Sequence, residues 1–182
     1  MANISIKPAL LRDASYVMAH LRPRDYEEAY CQIDPKTKRH ELAYWLVTNA
    51  WRAYVAYVNG KPAAVFGTTP ISICQQSVWA LGTKQMPRAI PAITKLFVSE
   101  IVPAGIAAGF QGMEARTIVT HTQAHRWMEA TGAKLITPEP YPYGRDGELF
   151  YTYHWTLRDY RGIRETKKLA RELPDIDRSG AA

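Results

Sequence analysis

The stretch RAYVAYVNGKPAAVFGTT, Arg52 to Thr69, constrains the fold more than any other part of the chain. Two runs rich in β-branched and aromatic residues flank Asn59-Gly60, and an Asn-Gly pair supplies the two positive-φ residues that a type I′ hairpin turn requires. A hairpin at this place commits the middle of the chain to an antiparallel sheet. The remaining elements must extend that sheet or cover it.

The flanking sequence supplies both kinds of element. ISIKPA reads as a first strand, with Ile4 and Ile6 alternating against polar neighbours and Pro8 ending it. Asp13 stands where an N-cap belongs, ahead of ASYVMAHL. A second helical piece follows Pro23 through RDYEEAYCQI, and a third starts near Thr37 with Leu42, Trp45, Leu46 and Asn49 at helical spacing. After the hairpin, SVWALGT makes a strand and Pro87 opens the long helical region PRAIPAITKLFVSEIVPAGIAAGF. Pro91 is placed in its first turn, and Pro103 is expected to kink or end it.

ARTIVT is then a strand, and HTQAHRWMEATGA a helix closed by Gly132 as a left-handed C′ residue. KLITP and ELFYTYHW follow as an antiparallel pair joined by the loop EPYPYGRDG. From Leu157 a charged helix is expected up to Pro174, followed by a mobile tail, DIDRSGAA. This order excludes a helical bundle and a β-sandwich, and it predicts a mixed α/β sheet covered by helices on both faces. Residues 1–156 make the one domain and residues 157–182 a charged helical extension and tail.

With 182 residues, 47% of them hydrophobic, the chain can bury one real core and leaves little for a second domain. The net charge of +6 favours an acidic partner without naming it. Its basic residues are interleaved with acids in LRPRDYEE, DPKTKRHE and RDYRGIRETKKLARELPD, the pattern of solvated faces, so nucleic-acid binding is compatible but not favoured. Cys31 and Cys74 have no partner spacing, which supports neither a disulfide framework nor zinc and suggests buried thiols in a reducing compartment. No apolar run is read as reaching the roughly 18 residues of a membrane helix, and MANISIKPALLRD has no signal-peptide core. An unexported protein with no membrane partner is expected. His121 and His125 share a helix face as H-x-x-x-H, yet Thr122 stands where the zincin form needs Glu and no third ligand is evident. No metal is expected.

The element order, the Asn-Gly hairpin and HTQAHRWMEATGAKL resemble the GCN5-related N-acetyltransferase superfamily, whose penultimate helix has the form N-x-x-A-x-x-(L/F)-Y-E-K-x-G-F. Ala124, Trp127, Glu129 and Gly132 match its alanine, apolar, glutamate and glycine positions, over a likeness running from Ile4 to Trp155. From Thr117 to Trp155 the chain is similar to the internal core protein A family of short-tailed phages. His125, Arg126, Trp127, Gly132 and Ala133, then Arg145, Asp146 and Gly147, fit its helix T-x-H-x-R-(W/F)-(L/M)-x-x-x-G-A and its RDG loop, with a one-residue slip around His125. The resemblance implies a mostly antiparallel central sheet flanked by helices on both faces. It also implies a phage protein acting in virion assembly or as an internal virion component, among virion or host proteins, in the host cytoplasm or the virion interior. The alternative it implies is a working acetyl-CoA-dependent N-acetyltransferase.

For acetyl-CoA, the superfamily uses a loop of the form (Q/R)-x-x-G-x-(G/A), whose small residues let backbone N–H groups reach the pyrophosphate. The corresponding loop here is GTKQMPRAIP, in which Pro87 and Pro91 delete donors and Met86 adds bulk. The residues available to a cofactor are Leu81, Gly82, Thr83, Lys84, Gln85 and Arg88, the last four through side chains at a helix N-terminus. Many relatives use a helix tyrosine as acid for the departing thiolate; Met128 occupies that position and cannot give a proton. His125, one turn earlier, is the candidate substitute, with His154 and Glu148 as further candidates. Exposed Tyr141 and Tyr143 in the PYPYGRDG loop are candidates to meet a partner.

Overall fold

The computed structural model describes residues 2–157 and 160, so the charged extension expected from Leu157 lies almost wholly outside the described residues. The elements follow the order β1 (Ile4–Pro8), α1 (Leu11–Ala19), α2 (Pro23–Tyr30), α3 (Arg39–Thr48), β2 (Arg52–Val58), β3 (Lys61–Pro70), β4 (Gln75–Gly82), α4 (Met86–Leu96), a π-helical turn (Phe97–Ile101), α5 (Val102–Ala107), β5 (Gly112–Ile118), α6 (Thr122–Ala130), β6 (Lys134–Leu135), β7 (Tyr141–Pro142) and β8 (Leu149–Thr156). The strands form one sheet in the order β1-β2-β3-β4-β5-β8-β6, with β7 also pairing β8.

Asn59 and Gly60 take φ of 51° and 78°, as the hairpin requires. Every pairing in the sheet is antiparallel except β4 with β5. That parallel ladder covers only the starts of the two strands, Gln75↔Gly112, Gln76↔Met113 and Ser77↔Glu114. Beyond Ser77 and Glu114 the strands part, and a cleft opens toward Gly82 and Ile118.

Helices cover both faces. On one, Ala14, Val17 and Met18 of α1 and Leu42, Ala43 and Leu46 of α3 bury against Val55 and Val65. On the other, Ala89, Ile93, Phe97 and Ile101 pack with Met128 against Phe66, Met113, Ala115, Tyr153 and Trp155. Trp155, fully buried, is gripped edge-on by Phe97.

Several sequence expectations are corrected. Asp13 is not an N-cap: α1 begins at Leu11 after Leu10, and the Asp13 carboxylate accepts the Tyr57 hydroxyl at 2.9 Å. α3 is capped at Lys38, whose N–H donates to Glu41 at 2.8 Å. Pro91 lies inside α4, beyond its first turn. Helix continues through Pro103, because the π turn before it shifts the bonding, with the Val102 N–H donating to Phe97 O five residues back. The buried positions Ala89, Ile93, Phe97, Ile101 and Gly105 recur every fourth residue. Each step of four overshoots a full α-helical turn by about 40°. The wider π turn takes up part of that drift, so the apolar stripe stays on the sheet.

The continuous helix Met86–Ala107 is 22 residues long and, by length and composition alone, apolar enough to cross a membrane, a run the sequence reading did not anticipate. Its buried side is the core stripe just described. The short strand β7 was also missed; Tyr141 and Pro142 pair with Phe150 and Leu149 inside what was read as loop. Gly132 is the expected C′ residue, at φ 87°, and the N–H groups of Gly132 and Ala133 close the helix on Glu129 O and Met128 O.

Candidate functional site

The cleft between β4 and β5 has two walls. One is the end of β4 and its junction with α4; the other is the end of β5 and the start of α6.

On the first wall the main-chain donors are already used. Gly82 N–H donates to the buried Asp25 carboxylate at 2.6 Å, and Thr83 N–H to Ala63 O at 2.8 Å. The Gln85 and Met86 N–H groups turn back onto Thr83, through Oγ1 and O, and the Arg88 N–H reaches Gln85 O. Pro87 has none. Among the described residues, only the Lys84 N–H of Gly82–Arg88 has no protein partner. Asp25 is itself held by Arg22 at 2.6 and 3.2 Å, and Arg22 N–H donates to Gly82 O at 2.9 Å, so α2 is bolted to this junction.

Met86 is buried over Gly82; a Cβ added to Gly82 would lie 2.5 Å from the Met86 Cβ. Backbone donors and space are the two things a diphosphate cradle needs, and the junction offers neither. Leu81 packs in the core and Thr83 is buried. Lys84, Gln85 and Arg88 stay exposed, with Arg88 Nη1 donating to Gln85 Oε1 at 3.0 Å.

His125 stands on the second wall. Its Nε2 lies 3.1 Å from Ile118 O and 3.3 Å from Val119 O, both acceptors, which makes that nitrogen the protonated one. Nδ1 then accepts from the Tyr153 hydroxyl at 3.1 Å. Tyr153 also reaches Glu129 Oε1 at 3.4 Å, and burial with the Glu129 charge pushes its hydroxyl pKa up. The chain Glu129–Tyr153–His125 can hold and pass a proton at the end of β5, across the cleft from the junction. The splay thus sets His125 and the Leu81–Arg88 group on opposite sides. Tyr153 was read from the sequence as a packing residue, since strand alternation accounts for it without its hydroxyl.

The other candidates disperse. Met128 is buried in the core. His154 pairs with Gln75 at 3.3 Å, at the closed end of the β4–β5 ladder. His121 is the N-cap residue of α6 without side-chain capping from Thr120 or Thr122, and its Nδ1 meets Glu28 at 2.6 Å. Tyr141 donates to or accepts from Thr152 at 2.9 Å, and Arg116 lies 4.8 Å over the Tyr143 ring. The described residues contain no group of three or more His, Cys, Asp or Glu able to hold a metal ion.

Arg145, Asp146 and Gly147 act on the architecture. Arg145 N–H donates to Cys31 O at 2.7 Å and its guanidinium reaches Tyr30 O and Ile33 O, fastening the end of α2 to the loop before β8. Gly147 turns that loop at φ 86°.

Neither a family model nor a curated protein matches the sequence. Solved structures do. A GNAT-family acetyltransferase from Streptococcus pneumoniae is similar with TM-score 0.62 at 15% identity, over 85% of this chain and 99% of that one. An N-acetyltransferase from Staphylococcus aureus Mu50 gives 0.66 at 15% identity, over 85% and 99%. A Salmonella typhimurium protein solved with its cofactor acetyl-CoA gives 0.63 at 11% identity, over 86% and 95%. At such identities the likeness is one of architecture: this chain has the GCN5-related N-acetyltransferase fold.

Proposed function

We propose that this protein is an internal or assembly component of a phage virion, built on the acetyltransferase fold with catalysis reduced or lost. The observation that carries the loss is the junction at the end of β4, where Asp25, Ala63, Thr83 and Gln85 take the donors and Met86 covers Gly82. The phage reading rests on the resemblance of HTQAHRWMEATGAKL and GRDGELFYTYHW to the internal core protein A family. The architectural work of Arg145 and Gly147 supports it, since a motif that fastens α2 to the last strand serves a scaffold as well as an enzyme. Its partners in this reading are other virion or host proteins, met in the host cytoplasm and the virion interior.

A working acetyl-CoA-dependent N-acetyltransferase is the second reading, favoured by the open β4–β5 cleft and by the Glu129–Tyr153–His125 chain beside it. In that version Lys84 and Arg88 would hold phosphates by side chain alone. A thermal-shift titration with CoA and acetyl-CoA, beside ATP as a charge control, separates the two. The scaffold reading expects no CoA-specific rise. A saturable rise with the CoA compounds, lost in the Lys84→Ala/Arg88→Ala variant, would establish the enzyme reading instead. Mass spectrometry of purified virions tests the location.

A further inference from the structure

A second cavity, of about 240 Å³, opens between α2 and the loop before β8, lined by Tyr26, Glu27, Tyr30, Cys31, Arg145 and Glu148 among others. It is smaller than the roughly 300–1,000 Å³ of drug-sized sites, a size that suits one side chain or a short aliphatic molecule. Its polar groups are acceptors. The Glu27 carboxylate is exposed and has no partner in the protein, and of the Glu148 oxygens only Oε2 is engaged, by the Asp146 N–H at 3.0 Å. The Tyr30 hydroxyl is buried without a hydrogen-bond partner. A buried hydroxyl left so costs about 1–3 kcal/mol, so an occupant that bonds to it gains what the empty site forgoes.

The cationic group in the wall does not balance these acceptors, because Arg145 gives its guanidinium to Tyr30 O, Ile33 O and Asp146. Tyr26 and Tyr30 stack at 4.4 Å, and Arg39 already sits 5.2 Å over the Tyr26 ring, so this aromatic wall attracts positive charge. Burial, with the Glu148 and Glu28 carboxylates behind it, raises the Cys31 thiol to about 11, which keeps that group neutral and reports the same negative field. An anion would meet carboxylates; a neutral apolar group would leave the acceptors unpaired.

We propose that this cavity binds an alkylammonium group, its aliphatic stem against the tyrosines and its charge between Glu27 and Glu148. The site is independent of the fate of coenzyme A, because none of its walls belongs to the β4–α4 junction. Its failure and that of the virion reading would therefore show in different experiments.

The test is an NMR titration of the full chain with three probes: Nα-acetyl-lysine methylamide, its uncharged norleucine counterpart, and cadaverine. Binding is expected to be saturable for the two amines, to move the amides of Glu27–Cys31 and Arg145–Glu148, and to be absent for the norleucine compound. Glu27→Gln, at an exposed side chain with no structural partner, should weaken it about tenfold, the scale of one charge-assisted hydrogen bond. Tyr30→Phe keeps the ring and should weaken it to a lesser degree. Tighter binding of the capped lysine assigns the site to a side chain of a protein partner, and tighter binding of cadaverine assigns it to a free polyamine. Equal binding of the norleucine compound, an unchanged Glu27→Gln variant, or no saturable response to either amine would overturn the proposal.

Discussion

The carboxylate of Asp25, almost wholly buried, accepts the main-chain N–H of Gly82 at 2.6 Å while holding Arg22 on its other side. One acid on α2 thereby ties three parts of the molecule together and closes a donor at the end of β4. Its loss would leave a partly buried guanidinium and an unpaired peptide group. Asp25→Ala should cost about 3 kcal/mol in urea unfolding, and Asp25→Asn less, since an amide oxygen can still accept from Gly82.

Gly82 and Met86 compete for the same space. Gly82→Ala should destabilise the protein by about 1–3 kcal/mol through overpacking, and Met86→Ala by about 2–5 kcal/mol through the cavity it leaves. Because the shorter residue at position 86 makes room for the new methyl, the double variant should cost less than the sum of the singles. A strictly additive cycle would show that the contact does not govern the junction.

Gly147 offers a cleaner backbone test, since no atom lies within 4 Å of where its Cβ would be. Its φ of 86° alone penalises a side chain. Gly147→Ala should therefore cost about 1–2 kcal/mol, read as a fall of a few degrees in Tm.

Alkaline pH should weaken the fold in a defined window. Cys31 is raised from 9.0 to about 11 and Tyr160 from 10.0 to about 12, both chiefly by burial. The unfolded chain sheds these protons first, so between about pH 9 and 12 it binds fewer protons than the native state and stability falls as pH rises. Below pH 9 these groups contribute no slope. Urea midpoints measured across this range check the sign, and Cys31 should alkylate more slowly than Cys74 at neutral pH.

The sequence carries the sheet and the faces of its helices because each is written in local period: the Asn-Gly turn, the alternation of β8, and the apolar spacing of α3 and α6. What escaped is written in contacts between distant segments. Asp25 resembles any acid in a first helical turn, and nothing in RPRDYEE announces that it will meet Gly82. Tyr153 fits strand alternation so well that its bond to His125 leaves no trace. Tyr141 and Pro142 are too few to show a period, and β7 exists only because β8 is there to pair with it. The bulk of Met86 and the missing donor of Pro87 could be read from the junction itself. That Thr83 and Gln85 would consume the remaining donors could not.

The π turn fixes the length of its helix to the residue. Removing one amino acid between Phe97 and Ile101 would let an ordinary α-helix run straight through, but would swing everything after it by about 100°. Val102 and Gly105 would then leave the sheet, and β5 would begin from a displaced start. Since β5 is one arm of the cleft, the angle of that opening is set by a single surplus residue in a helix on the far side of the core.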